Sequence, residues 1–229
     1  MPETDVLTLL GVGFLLGLRH ALDADHLAAV STVLAERPSM KDSGAVGLWW
    51  GIGHTVTLLA VGLPVLTLGL RIPDSLAAMA EGGVGCLLIL LGVTLAYRLY
   101  QERWHVHTHR HAGESHIHFH SHALRDDHGH RHWAAPSLRP LCIGMAHGLA
   151  GSAALLLLIL SSTRSVAQGL GYILIFGLGS ILGMTVIGVT ISVPVICSWS
   201  IGRRAFAAVQ GVASAASLSV GVWMLLKLA

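Results

Sequence analysis

Five ionisable side chains lie within eight residues of a long apolar segment, at Arg19, His20, Asp23, Asp25 and His26. An isolated charge in the middle of a membrane helix costs about 2.5–3.5 kcal/mol, so such a cluster must be paired, hydrated or bound to a metal. Two imidazoles with a carboxylate between them suit a divalent transition metal. The residue types and their spacing therefore predict a metal site inside the segment.

Helical geometry predicts which of these groups share a face. At 100° per residue, His20, Asp23 and His26 fall within about 120° of a continuous helix. Arg19 lies in the same sector, four residues before Asp23, where it can neutralise that carboxylate when no metal is bound. Asp25 points elsewhere, and we expect it to orient a histidine through a hydrogen bond.

Two further histidines, His54 and His147, lie in other apolar segments. Counted from the cytoplasmic ends of the predicted spans, both are about 10 residues deep, comparable to the first cluster, which corresponds to about 15 Å of helix. Taken alone, either histidine is as often a hydrogen-bonded packing residue as a ligand. The candidate metal residues are His20, Asp23, Asp25, His26, His54 and His147, with Arg19 as charge partner.

The elements that carry these groups are predicted to be membrane-spanning. The 229 residues are 53% hydrophobic and 11% charged, against about 25% charged in an ordinary soluble domain. A soluble protein of this composition would lack polar surface. The net charge of +2 is too balanced to indicate a nucleic-acid partner. The acidic residues 1–5 are unlike a cleaved secretory signal, so the first span is expected to be retained.

Six apolar runs reach the length of about 20 residues that a bilayer core requires. They cover about residues 6–34, 44–70, 76–99, 137–161, 166–197 and 203–228. Barrel strands would alternate over about ten residues, whereas these runs are longer and uniformly apolar. The sequence thus predicts an all-α membrane protein with six transmembrane helices.

The distribution of basic residues predicts the orientation. With both termini outside, most arginines and lysines fall in cytoplasmic segments, and only Arg71, Arg164 and Lys227 lie outside. Residues 100–136, the one long connection, then form a cytoplasmic loop, and the bacterial inner membrane is the expected location.

The halves of the chain, residues 1–99 and 137–229, resemble each other. Matching segments are 17–22 with 144–149, 51–54 with 177–180, and 92–99 with 221–228, in the same order and at nearly equal separations along the chain. Repeats with an odd number of spans face opposite ways, which is the plan of many secondary transporters. We therefore expect two inverted three-helix repeats with a substrate site near the midplane.

The loop of residues 100–136 holds most of the 15 histidines. They alternate as His-x-His in three clusters: His105, His107, His109, His111, His116, His118, His120, His122, His128, His130 and His132. In an extended chain alternate residues share a side, so each cluster can chelate nickel, cobalt, zinc or copper. We expect the loop to capture, buffer or sense metal, the alternative being a linker without a role.

Two of these elements resemble signatures of a known family. Residues 19–26 resemble the H-x4-D-H signature of the nickel/cobalt permease family, and residues 53–57 resemble its G-H-S/T-V-V element. The resemblance implies metal recognition by His20, Asp25 and His26. Family permeases generally have eight spans and an acidic motif in the second half, where this chain has residues 144–152. The six-span layout is similar to the urease-accessory, UreH-like branch of the nickel/cobalt transporters.

The favoured hypothesis is a permease that moves Ni²⁺ or Co²⁺ by alternating access. Efflux by the same fold is the first alternative, because a cytoplasmic chelator can serve as a trap or as a loading platform. An intramembrane metalloenzyme is disfavoured because the His-Glu-x-x-His motif is absent, and a membrane-tethered metal store or sensor is a further alternative. No enzymatic activity and no cofactor are expected. Expected partners are the ion, the bilayer, and a cytoplasmic nickel chaperone or urease or hydrogenase maturation proteins.

Overall fold

The computed structural model describes residues 3–36, 39–70, 72–102, 109–111, 114–116, 135–162 and 165–229. These residues form seven helices: α1 Glu3–His20, α2 Ala24–Leu34, α3 Met40–Leu68, α4 Asp74–Glu102, α5 Ala135–Ser162, α6 Val166–Ile201 and α7 Arg203–Leu228. Two short strands, β1 His109–His111 and β2 Glu114–His116, pair antiparallel within the predicted loop. Apart from this pair, the described elements are helical.

Four helices of the described chain are long and apolar enough to cross a membrane. They are α3, α6, α7 and the Asp74–Gln101 part of α4. The protein is therefore an integral membrane protein. The predicted boundaries of the last five spans agree with α3 to α7 within four residues at each end.

The first predicted span is not one continuous helix, so the prediction of a single helix over residues 6–34 is wrong. Helix α1 ends at His20, and the amides of Leu22 and Asp23 donate to carbonyl oxygens three residues back, at 2.9 and 3.1 Å. Asp23 is extended and precedes α2, where aspartate is a favoured residue. Asp25 lies in the first turn of α2, at the positive end of the helix dipole.

Backbone-to-backbone contacts hold the helices together. Helix α1 packs on α6, α3 packs on both α5 and α6, and α4 packs on α7. A Cβ atom on Gly17 would overlap the carbonyl oxygen of Phe176, and one on Gly144 would overlap that of Trp50. Only glycine permits this approach, which is common between membrane helices.

These contacts recur in pairs at the spacing of the sequence repeat. The number of residues between Gly17 and Gly144 is almost the same as the number between Trp50 and Phe176. Corresponding contact pairs are Gly17–Phe176 with Gly144–Trp50, Gly53–Leu141 with Gly179–Phe14, and Gly92–Ser214 with Gly221–Gly85. The two halves of the described chain thus pack through equivalent positions.

Polar contacts fix the carboxyl end of α2 to three other helices. The carboxylate of Glu36, only 9% exposed, accepts two hydrogen bonds from Arg139 at 2.6 and 3.0 Å and lies 3.1 Å from Arg98. The Gln210 amide donates to the carbonyl oxygen of Ala35 at 2.9 Å. The carboxyl ends of α2 and α4 and the amino end of α5 therefore lie at one side of the bundle.

Alanine substitution should have opposite effects at two glycines of α1. At Gly17 the new Cβ would overlap the Phe176 carbonyl oxygen and lie 2.9 Å from the Ser180 nitrogen, whereas at Gly11 nothing lies within 4 Å. Alanine is favoured over glycine in helices by about 1 kcal/mol. We expect Gly17→Ala to lower the melting temperature in detergent and Gly11→Ala to maintain or raise it. Equal melting temperatures would contradict the close packing of α1 on α6.

Candidate metal centre

Four histidines from four helices meet beside the break between α1 and α2. His20 ends α1, His26 lies in α2, His54 in α3 and His147 in α5. The ring centroid of His20 lies 4.7 Å from that of His26 and 4.8 Å from that of His54. The centroid of His26 lies 5.5 Å from that of His54 and 5.0 Å from that of His147. The tertiary structure therefore brings all four candidate imidazoles together.

Three of these histidines are close enough to share one ion. One ligand atom from each of His20, His26 and His54 lies within 4.8 Å of the others. Two nitrogens bound to one ion at about 2.1 Å lie at most about 4.2 Å apart, so small side-chain movements would close the site. Asp23, Asp25 and His26 form a second group within the same 4.8 Å limit.

Oxygen atoms orient three of the imidazoles through their Nδ1 atoms. Nδ1 of His20 lies 2.7 Å from the Asp23 carboxylate, and Nδ1 of His26 lies 3.1 Å from that of Asp25. Nδ1 of His147 donates to the carbonyl oxygen of Ile143 at 2.9 Å. Because carbonyl and ionised carboxylate oxygens only accept hydrogen bonds, these contacts favour a proton on Nδ1 and a free lone pair on Nε2. This arrangement is the usual one for metal-binding histidines.

Several buried nitrogen atoms in the cluster have no hydrogen-bond partner. Within the described residues they are Nε2 of His26, both ring nitrogens of His54, Nε2 of His147 and the indole nitrogen of Trp50. Each unpaired buried polar group costs about 1–3 kcal/mol. Neutral imidazole nitrogens are good ligands for nickel, cobalt and zinc, so the donor set fits a divalent transition metal.

The break in the first span changes the positions of the charged groups. Asp23 is 51% exposed and contacts His20, and Asp25 contacts His26. Arg19 is exposed, and within the described residues no ion pair joins it to Asp23, so the expected charge pairing is not formed. The helix ends at His20, so Asp23 does not occupy the position one turn beyond Arg19 that a continuous helix would give it.

Two aromatic residues adjoin the cluster that the sequence alone did not single out. The fully buried Trp50 ring lies 5.0 Å from that of His147 and 6.4 Å from that of His26. The ring of Phe176 lies 5.5 Å from that of His20. Trp50 lies four residues before His54, and this helical spacing was the signal that it shares a face with the histidine.

The loop histidines are described only in part. His109 lies opposite His116 and His111 lies opposite Glu114 in the β1–β2 pair. The others lie outside the described residues: His105, His107, His118, His120, His122, His128, His130 and His132.

The chain matches the model of a protein family over nearly its whole length. The match covers residues 6–226, and the family is described as NicO, high-affinity nickel-transport protein. The chain belongs to this family. The predicted resemblance to the nickel/cobalt transporters is thus confirmed, and the protein is a transmembrane transporter of transition-metal ions. Membership in a transporter family agrees with transport rather than with the metalloenzyme alternative.

Named relatives match this chain over different shares of its length. The urease accessory protein UreH of Bacillus sp. (strain TB-90) is 36% identical over 195 residues, which cover 85% of this chain and 80% of that protein. The nickel transporter NixA of Staphylococcus aureus (strain NCTC 8325 / PS 47) is 49% identical over 63 residues, 25% of this chain and 19% of that protein. A high-affinity nickel transport protein of Cupriavidus necator is 37% identical over 81 residues, 33% of this chain and 22% of that protein. No solved structure matches this chain.

Replacing Asp25 by alanine should weaken nickel binding. The carboxylate accepts from His26 Nδ1 and directs the Nε2 lone pair into the cluster, and loss of such a partner costs about 10–100-fold in metal affinity. The measurement is ⁶³Ni equilibrium dialysis of the purified protein. The matched control is Asp74→Ala at the exposed start of α4, which should bind like the wild type. Unchanged affinity in Asp25→Ala would contradict the orienting role.

Proposed function

We propose that the protein takes up Ni²⁺, or Co²⁺, across the bacterial inner membrane by alternating access between two inverted three-helix repeats. The observation that carries the proposal is the buried cluster of imidazoles with unpaired nitrogens at the break between α1 and α2. Discontinuous helices form the substrate sites of many secondary transporters.

The chemistry of the cluster suits an ion that must bind and leave. His20, His26 and His54 offer nitrogen ligands, and His147 lies beside His26. Asp23 and Asp25 contribute negative charge next to the imidazoles, which offsets part of the charge of a divalent ion in a poorly hydrated site. Nickel and cobalt accept this mixture of nitrogen and oxygen donors.

The paired glycine contacts support the repeat architecture of this proposal. Helices α1 and α2 together form the first of six spans, and α5 forms the fourth. Residues 1–99 are then the first repeat and residues 137–229 the second, joined by residues 100–136. Equivalent contacts at nearly constant separation along the chain are expected if two repeats share one fold.

The orientation that we propose places both termini outside and residues 100–136 in the cytoplasm. Arg98 of α4 and Arg139 of α5 flank this loop and both contact Glu36, which supports a common membrane face for the three segments. Basic residues favour the cytoplasmic face. On that side the loop histidines would capture incoming metal, with His109 and His116 opposite each other in the β1–β2 pair.

Uptake is favoured over efflux by electrostatics and by the character of the family. An inside-negative potential of 100 mV favours entry of a divalent cation by about 4.6 kcal/mol without ATP hydrolysis. The family is described as high-affinity, and strong binding is useful when the ion is collected from a dilute exterior. The name of UreH suggests that the nickel is delivered to urease maturation proteins. Hydrogenase maturation proteins are the alternative recipients.

The test is ⁶³Ni accumulation in cells that express comparable membrane amounts of each variant. We expect the wild type to accumulate nickel. The initial rate of nickel uptake by His26→Ala should be lower by at least about tenfold, because the substitution removes a central ligand. Deletion of residues 105–132 should preserve uptake, since the intramembrane site remains. His116→Ala, which removes one imidazole outside the cluster, is the matched control.

Two outcomes would contradict the proposal. Full uptake by His26→Ala would show that the ion does not pass through the cluster. Wild-type cells that become metal-poor and nickel-resistant would show that the protein is an exporter.

A further inference from the structure

We propose that the cluster contains two alternative metal positions that share His26, and that transport moves the ion from one to the other. The first position is formed by His20, His26 and His54, and the second by His26 and His147. This inference rests on the proposed function and adds to it the path of the ion within the site.

Distances within the cluster separate the two positions. The ring of His26 is almost equally far from those of His20, at 4.7 Å, and His147, at 5.0 Å. Within the described chain, however, the compact group of ligand atoms around His20, His26 and His54 does not include His147. An ion bound in the compact group would therefore reach His147 only if the ion or the His147 side chain moved.

The hydrogen bonding of His26 makes the two positions mutually exclusive. Its Nδ1 atom is 3.1 Å from the Asp25 carboxylate, so Nε2 is the one ring nitrogen left for a metal. One nitrogen lone pair binds one ion. We therefore expect one ion per chain, bound in either position.

His20 and His147 occupy equivalent places in the two halves of the chain. Each follows a glycine of the paired contacts by three positions, His20 after Gly17 and His147 after Gly144. Each has Nδ1 hydrogen-bonded to an oxygen, of Asp23 or of Ile143. Such equivalence is the basis on which inverted repeats exchange conformations.

The aromatic neighbours of the two histidines follow the same relation. The ring of Phe176 lies 5.5 Å from that of His20, and the ring of Trp50 lies 5.0 Å from that of His147. Trp50 directly precedes the segment 51–54, and Phe176 directly precedes its match, 177–180. Exchange of conformation between the repeats would then expose His147 and bury His20.

The exposure of the two histidines in this conformation indicates the order in which the ion occupies the two positions. The side chain of His20 is 19% exposed and adjoins the exposed Asp23, whereas His147 is 1% exposed. The ion enters at the first position and reaches the second before release. The second position has fewer protein nitrogens and includes the unpaired indole N–H of Trp50, which can donate to a water molecule on the ion. Weaker binding there favours release, which transport requires.

The experiment compares equilibrium binding with transport in the same variants. ⁶³Ni dialysis of purified protein gives affinity, and ⁶³Ni entry into proteoliposomes gives the rate. For His20→Ala we expect both affinity and rate to fall at least about tenfold. For His147→Ala we expect the affinity to stay within about threefold of the wild type, while the rate falls at least about tenfold.

Two further variants control for folding. His147→Gln keeps a hydrogen-bond donor that can reach the Ile143 carbonyl oxygen, and should show the same separation of binding from transport if His147→Ala is poorly folded. Met145→Leu changes an exposed side chain on the same helix and should bind and transport like the wild type. Each variant is compared as monodisperse protein in detergent.

Three results would overturn the two-position scheme. Equal loss of affinity in His147→Ala and His20→Ala would show one site with four histidines. Normal transport by the His147 variants would show that this residue only packs. Wild-type protein that binds nickel without transporting it, or does neither, would overturn the proposed function together with the scheme.

Discussion

Close backbone contact between helices is the constraint on which the rest of the structure depends. An imidazole is short, so the ring centroid of His26 lies 5.5 Å from that of His54 on α3 and 5.0 Å from that of His147 on α5 only if the helices nearly touch. Glycine permits this contact where Gly144 of α5 meets the carbonyl oxygen of Trp50. It also permits the contact of Gly148 with the carbonyl oxygen of His54, which would lie 2.6 Å from a Cβ atom added at that glycine. Larger residues at these points would separate α3 from α5 and spread the histidines apart.

The break in the first span makes a second contribution to the site. In a continuous helix, six residues rise about 9 Å along the axis, which would keep His20 and His26 apart. The interruption at residues 21–23 instead brings their ring centroids to 4.7 Å. It also places each histidine beside its own aspartate. One segment thereby supplies two oriented imidazoles, one from α1 and one from α2.

The energetics of the site are compatible with a transport function. Unpaired imidazole nitrogens are costly when buried, whereas close helix packing through glycine stabilises the described bundle. When the nitrogens of such a site bind an ion, the cost of leaving them unpaired is removed, and this contributes favourably to the free energy of binding. In the proposed function, this set of imidazole nitrogens with peripheral carboxylates would bind a divalent ion less permanently than a closed structural site does.

The sequence by itself determined the membrane class, the boundaries of five helices and the identity of the four clustered histidines. Composition and the length of apolar runs are sufficient for the first two, because the bilayer sets the length of a helix that crosses it. Charge inside an apolar segment was sufficient to mark residues 19–26. The regular spacing of the matching segments was also visible in the sequence, and the contact pairs of the structure follow it.

Only the tertiary structure decided how the charged residues are used. The sequence predicted a continuous first helix with Asp23 between two histidines and Arg19 paired to it, whereas the chain breaks at that point and Asp23 contacts His20. Helical periodicity cannot reveal such a break when no proline or glycine marks it. Nor could it reveal that Trp50 borders His147, because contacts between helices depend on packing angles and depths that no local pattern encodes.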